Sequence, residues 1–372
     1  MLTVADFVRH LDAFAPPDTA AEWDNVGLLV GDANAPVERV MTCLTLTDDV
    51  AAEAIDKQCQ LIVTHHPVLF RGVKKLTTNT PDGKLLLPLI RAGIAVYSPH
   101  TAFDNCPGGI NDGLCRRLGL TNVDSLRTKP TVGTIKLAVF VPESDLATVS
   151  DALFAAGAGR IGVNDRYKEC SFRTMGTGTF FGSDASNPTV GQKGRREEVA
   201  EYRLETVVPE SKLAAVIAAM RSAHSYEEPA YDLYPMMVIP PWGEGRIGEF
   251  VSPVSLSELS ARVRQQLRAG FLNVVGDASK PIRKMAVACG AAGEFLSDAI
   301  RAKADCFLTG ELRFHEALTA RSAGIAVLIP GHYATERPGV EELAERLANS
   351  FPTCTTWAST TECDPLVAYN HP

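Results

Sequence analysis

Eight histidines serve the 372 residues, and His65, His66, His100, His315 and His332 all fall where strand-like apolar runs end. His65 and His66 close the run QLIVTHHP. His100, with Asp104 four residues on, ends IAVYSPHTAFD. Glu311 and His315 flank the turn after DCFLTGE, and His332 and Glu336 follow IAVLIPG. Imidazoles and carboxylates with no thiolate among them suit Zn²⁺, Fe²⁺ or Mn²⁺ in an open site that keeps water positions. Adjacent His65 and His66 project in different directions from a strand, so two ions bridged by a carboxylate and a water are expected rather than one. Two ions ~3.5–4 Å apart can activate the bridging water and polarise the group it attacks. Each piece also has a plainer reading. A His-His pair can be a satisfied polar pair, and His332 and Glu336 can share a helical face by spacing alone. Glu311 and His315 can bond only to each other, and Asp104 can be a turn acceptor before Pro-Gly-Gly. Four such coincidences at four strand ends favour the metal site.

These residues can meet only if the runs are strands of buried parallel sheets with helices between them. The first third alternates in that way: an opening helix Thr3–Phe14, then VERVMTCLTL, DDVAAEAIDKQ, QLIVTHHP, KLLLPLIRAG and IAVYSPHTAFD. The last third repeats the pattern with IRKMAVACG, GEFLSDAIRAK, DCFLTGE, HEALTARSAG, IAVLIPGH and PGVEELAERLAN. In such sheets the carboxyl ends of the strands form the ligand-binding crest. Residues 1–125 and 250–372 therefore read as two parts of one discontinuous α/β domain. Between them, 126–249 reads as an inserted α+β domain of ferredoxin-like pattern. It carries an internal repeat, Val139–Gly157 against Thr206–His224, each a strand ending in Val-Pro-Glu-Ser, with the serine able to cap a following helix. Gly182–Arg196 reads as an exposed hairpin loop, and Pro240–Gly245 as the far edge of the insert.

Composition narrows the function. Thirty-six basic against 44 acidic residues, a net charge of −8, argue against a broad nucleic-acid surface. Nine scattered cysteines, none in a C-x-x-C pair, read as reduced thiols of a cytoplasmic protein. No apolar run is long enough for a membrane span, and the N-terminus lacks the pattern of a signal peptide. No phosphate-binding Walker loop is present, which argues against a conventional GTPase.

With these residues in place, the chain resembles the NGG-interacting-factor-like dinuclear metal-centre proteins, many of whose bacterial members are named as type 2 homologues of GTP cyclohydrolase 1. The matching segments are Glu22–Gly31, Thr64–Phe70, His100–Asp104, Thr309–Glu316 and Gly331–Glu336. The insert resembles the PII and CutA signalling-type fold through Ala223–Pro235. The resemblance implies that His66 and Asp104 hold one ion and His65 and His332 the other, with Glu336 bridging. His100, Glu311 and His315 then become catalytic candidates that support the ligands or face the substrate. It also implies a homohexamer with the insert capping a central cavity. A glycine-rich family segment appears here as Ala288–Glu294, with alanine at two places where glycine is usual.

The expected activity is metal-dependent hydrolysis of a small molecule, with ring opening of a guanine nucleotide and formate release as the named candidate. The alternative is a non-enzymatic metal-binding or regulatory protein whose insert senses a small molecule. Asp24-Asn25 reads as turn chemistry or as a catalytic pair. His224 reads as a helix-terminal imidazole or, less simply, as a second metal site. Arg71–Lys75 reads equally as a solvated loop or as a collar for an anionic substrate. No role is expected for the tail Glu362–Pro372, and His371 reads as a terminal residue without structure.

Overall fold

The computed structural model describes residues 1–128, 131–162, 165–238 and 242–369. His371 and the Pro240-Pro241 step lie outside them. The chain forms two compact units, Met1–Thr128 with Pro241–Pro372, and Lys129–Pro240.

The first unit begins with α1 (Val4–Phe14), entered by a capping interaction in which Asp6 accepts the Thr3 amide at 2.8 Å. Then come β1 (Gly27–Val30), β2 (Arg39–Cys43), α2 (Asp48–Asp56), β3 (Leu61–Thr64), α3 (Pro81–Arg91), β4 (Ala95–Ser98), α4 (His100–Asn105), α5 (Ile110–Leu118) and β5 (Thr121–Arg127). Helix α3 starts earlier than its apolar run because Thr80 accepts the Gly83 amide and Pro81 suits the first helical position.

The second unit holds β6 (Thr131–Pro142), α6 (Leu146–Ala155), β7 (Ser171–Phe181), β8 (Arg196–Pro209), α7 (Leu213–Ala223) and β9 (Tyr231–Val238). Its sheet runs β7-β8-β6-β9 with every neighbour antiparallel, the strand order of a ferredoxin-like βαββαβ fold. Leu137, Val139, Leu204 and Val208 pack with Val149, Leu153, Val216 and Met220 of the two helices. The internal repeat is structural: each copy is a strand ending at proline, a 3₁₀ turn and a helix. Ser144 and Ser211 are not caps, however. They sit inside the 3₁₀ turns, and Asp145 and Lys212 occupy the cap positions.

The chain then returns to the first unit with β10 (Glu244–Ser255), α8 (Leu256–Gln266), β11 (Asn273–Val275), β12 (Pro281–Ala288), α9 (Leu296–Arg301), β13 (Cys306–Thr309), α10 (Phe314–Ala323), β14 (Ala326–Ile329), α11 (His332–Ser350) and β15 (Thr355–Ala358). Strand β10 pairs with β12 and β5. Glu244–Glu249 thus belongs to this unit, whereas the sequence reading ended the insert at 249.

Two sheets build the first unit. One runs β1-β4-β3-β2-β15 and is parallel except for β1; the other runs β11-β14-β13-β12-β10-β5 and is parallel from β12 to β14. Leu61 and Tyr97 of the first sheet share a core with Leu308 and Leu328 of the second, and Leu11, Leu114 and Leu347 fill it from the helices. Each such leucine stabilises the fold by ~1.5–3 kcal/mol on burial. The two parallel sets thereby come together around one core.

The C-terminal segment is tied in by Glu53 of α2. Its buried carboxylate accepts from Thr360 N, Thr361 N, the Ser359 and Thr361 hydroxyls, Trp357 Nε1 and Lys57 Nζ, at 2.6 to 3.2 Å. Burial alone would raise its pKa, but these donors hold it far below the usual carboxylate range. A depressed folded-state pKa contributes stability that is present above the unfolded value, 4.5, and is lost as pH falls toward the folded value. Glu53→Gln is expected to cost ~2–4 kcal/mol at pH 7. The gap from wild type should shrink below pH ~4, which thermal melts across pH would check.

Candidate metal centre

Strand β3 is buried along its whole length, as a central parallel strand must be. Its pairing continues past its end, with His65 N on Cys43 O and His66 N on Leu44 O, both at 2.9 Å. Ser98 Oγ also donates to His65 O at 2.7 Å. The two imidazoles are therefore carried on rigid backbone.

The His65 ring is buried, and neither of its nitrogens has a hydrogen-bond partner. Nε2 lies 3.6 Å from Asp104 Oδ1 and 3.8 Å from Glu336 Oε1. These spacings are too long for hydrogen bonds, yet two donors on one ion with ~2.1 Å bonds stand ~3.4 Å apart. Burial drives the His65 pKa well below its usual value, leaving the neutral ring that metal ligation needs.

Helix α11 begins at His332, six residues before the predicted Pro338, so His332 and Glu336 occupy one face a turn apart. Glu336 Oε2 lies 3.0 Å from both His66 Nε2 and His332 Nε2. Hydrogen bonds fix the outer nitrogens: Thr45 Oγ1 lies 2.8 Å from His66 Nδ1, and Glu311 Oε1 2.7 Å from His332 Nδ1. Burial opposes charge on His332, but Glu336 and Glu311 outweigh it and lift the ring to about 9. Asp104, in the last turn of α4, is pushed up by burial and by the Glu336 charge. The buried Glu336 and half-buried Asp104 carboxylates, facing the unpartnered nitrogens of His65, form a donor set that a cation would complete. Two clusters have their ligand atoms within 4.8 Å of one another: His65 with His66 and His100, and His66 with His332 and Glu336.

His100 opens α4 at φ +27°, a left-handed backbone that costs a non-glycine residue ~1–3 kcal/mol and tends to mark functional positions. Its Nδ1 lies 2.7 Å from Asp24 Oδ1, and Asp24 also accepts from Thr101 N. Burial would raise the Asp24 pKa, but His100 and Thr101 lower it to about 2. Asp24 is thus the anchor of the His100 ring, a role beyond turn chemistry.

Of the catalytic candidates, His100 lines the cavity with His66, Asp104, His332 and Glu336, while Glu311 reaches them through His332. His315 is exposed on the first turn of α10, its ring against Phe314, and is not among the cavity residues. In the second unit, His224 donates from Nε2 to Phe140 O and accepts at Nδ1 from Tyr226 N, and is a satisfied structural ring.

Several supports escaped the sequence reading. Cys289 Sγ lies 3.1 Å from Asp104 Oδ1, and burial keeps it a thiol, so it donates to that carboxylate. Glu362, in the tail expected to have no role, accepts from Leu44 N and Thr45 N and pairs with Arg337, holding the loop whose hydroxyl meets His66. Gly290 has φ +66°, and a Cβ there would overlap Glu336 Oε1 and stand 3.4 Å from His332 Nε2. Gly290→Ala is expected to weaken metal binding at least ~100-fold with the chain still folded, as metal titration followed by calorimetry would read.

The cavity holds about 380 Å³. No helix among the described residues is long and apolar enough to cross a membrane.

The chain is similar to known proteins over most of its length. A Bacillus subtilis protein named GTP cyclohydrolase 1 type 2 homolog is 40% identical over 328 residues, 88% of this chain and 87% of its own. A Mycobacterium tuberculosis protein of the same name is 36% identical over 94% of this chain and 92% of its own. The crystal structure of a Bacillus cereus protein related to NIF3 matches with TM-score 0.72 at 33% identity, covering 99% of both chains. That of a Staphylococcus aureus protein matches with TM-score 0.83 at 27% identity and the same coverage. The profile of the Duf34/NIF3 (NGG1p interacting factor 3) family spans residues 2–365, and the chain belongs to that family.

Proposed function

We propose that the chain is a hydrolase dependent on two divalent metal ions, acting on a small-molecule substrate of the nucleotide kind. The observation that carries this reading is His65: a buried imidazole with both nitrogens unpartnered, facing Asp104 and Glu336. His65, His66, Asp104, His332 and Glu336 would hold the ions, Zn²⁺, Fe²⁺ or Mn²⁺ being compatible with nitrogen and oxygen donors. Bound there, the ions supply a water-derived nucleophile at neutral pH and polarise the group attacked. The protein's own share is orientation and proton transfer. Asp24 commits His100 Nδ1, leaving Nε2 to take or return a proton on the substrate side. Glu311 and Thr45 fix the ring planes of His332 and His66.

The names of the relatives support the finer reading, water attack on the imidazole carbon of a guanine nucleotide with formate release. Incubating metal-loaded protein with GTP and assaying formate tests it. Formate that disappears on chelation is expected; metal-replete protein that releases none from GTP would reject ring opening. The same reading takes the protein as a cytoplasmic homohexamer of 40.0 kDa chains, which sedimentation velocity would check.

A further inference from the structure

Two large aromatic side chains stand exposed at the mouth of the metal cavity, Trp23 at 63% and Phe70 at 47%. Single exposed apolar groups are ordinary, but two aromatic rings held edge to face at the rim of a polar cavity are not surface scatter. Their centroids are 5.7 Å apart with an interplanar angle of 67°. The His100 ring lies 6.0 Å from Trp23 and 6.4 Å from Phe70, so three rings surround one opening.

The surrounding contacts hold them there. Asn25 Nδ2 donates to Leu69 O at 2.7 Å, clamping the segment that carries Trp23 to the one that carries Phe70. Asp24, between Trp23 and Asn25, grips His100. Phe70 also lines a second, shallow depression formed by Arg71, Lys74 and Lys75 with Thr80 and Asp82. One aromatic residue therefore separates the metal cavity from a basic loop.

We propose that Trp23 and Phe70 form an angled clamp for a planar heteroaromatic ring, one side chain stacking on its face and the other meeting its edge, beside His100 and the metal ligands, while Arg71, Lys74 and Lys75 take an anionic tail of the same molecule. This deepens the hydrolase reading and rests on it for what happens after binding. Stacking suits any flat π-system, so the pair selects ring against non-ring and leaves discrimination among rings to polar groups deeper in the cavity. A cavity of about 380 Å³ matches one small ligand rather than a polymer segment. The side chains of Lys74 and Lys75 supply charge without a fixed fork, which fits a mobile phosphate chain.

The test is equilibrium binding to the full chain, read by calorimetry, with guanosine, GTP and inorganic tripolyphosphate as probes. Trp23→Ala and Phe70→Ala should each weaken guanosine and GTP about tenfold and leave tripolyphosphate unchanged. Trp23→Phe should recover most of the ring affinity. Lys74→Ala with Lys75→Ala should weaken GTP and tripolyphosphate, more so at low salt, and spare guanosine. The clamp is overturned if either aromatic variant binds guanosine as the wild type does, or if the wild type binds none. It is equally overturned if Trp23→Ala changes the sedimenting mass while ring affinity stays, because the rings would then serve an interface between copies. Turnover separates the two claims. Ring binding lost in Trp23→Ala, with no formate from the wild type, keeps the clamp and rejects the ring-opening reaction. Formate release with an unchanged KM in Trp23→Ala rejects the clamp alone.

Discussion

Glu336→Gln is expected to strip the metal centre while leaving the fold in place. The substitution preserves shape but removes the charge that meets His66 and His332 at 3.0 Å and faces His65 at 3.8 Å. Loss of a group that only supports a ligand typically weakens metal binding 10–100-fold, so loss of the carboxylate shared by three imidazoles should exceed ~100-fold. The fold should survive because the shape of the side chain is kept and the core around α11 is built from Val340, Leu343 and Leu347. Metal content after dialysis, read beside a thermal melt taken in chelator, checks both halves. A variant that keeps its full metal content would remove Glu336 from the site.

Arg246→Ala is expected to be the most destabilising single change in the first unit. The guanidinium is buried and donates to four backbone oxygens, Gly243 and Gly245 from one nitrogen at 2.7 and 2.8 Å, and Asn105 and Cys106 from another at 2.9 and 3.0 Å. Its Nε pairs with Asp112, whose other oxygen accepts the Gly108 amide. Removing the arginine leaves a half-buried carboxylate unpaired and four carbonyls without their donor. Breaking such a pair costs ~3–5 kcal/mol, which for a chain of this size lowers Tm by ~4–6 °C. The oxygens it holds belong to Asn105 and Cys106, directly after Asp104, so metal affinity should fall as well. Glu53→Gln acts elsewhere, by untying the C-terminal segment at the edge of the other sheet. Equal metal affinity in the Arg246 and wild-type proteins would show that Asp104 is positioned independently of β10.

The candidate ligands were legible because their residue types are rare and sit at the ends of continuous apolar strands, a pattern that both residue chemistry and burial impose. The ferredoxin-like insert was legible because its repeat preserves a strand, a Val-Pro-Glu-Ser turn and a helix at constant spacing. Supports were illegible where the partners are distant in the chain. Arg246 meets Asp112 across 134 positions and Glu53 meets Thr361 across 308. One sequence gives the types of such residues without their pairing. Glu311 and His315 could be read as a pair bonded to each other, but α10 begins at Phe314 and Glu311, just before it, bonds to His332 instead. The role of Glu362 in the tail was missed because its partners, Leu44 and Thr45, lie more than 300 positions away in the chain.

The account rests on His65, His66, Asp104, His332 and Glu336 holding two ions. Elemental mass spectrometry of the native protein, alongside Glu336→Gln prepared identically, tests this most directly. About two divalent ions per wild-type chain, and fewer than one in the variant, is the predicted result. A wild-type chain that carries no metal and takes up none when titrated with Zn²⁺, Fe²⁺ or Mn²⁺ would contradict it.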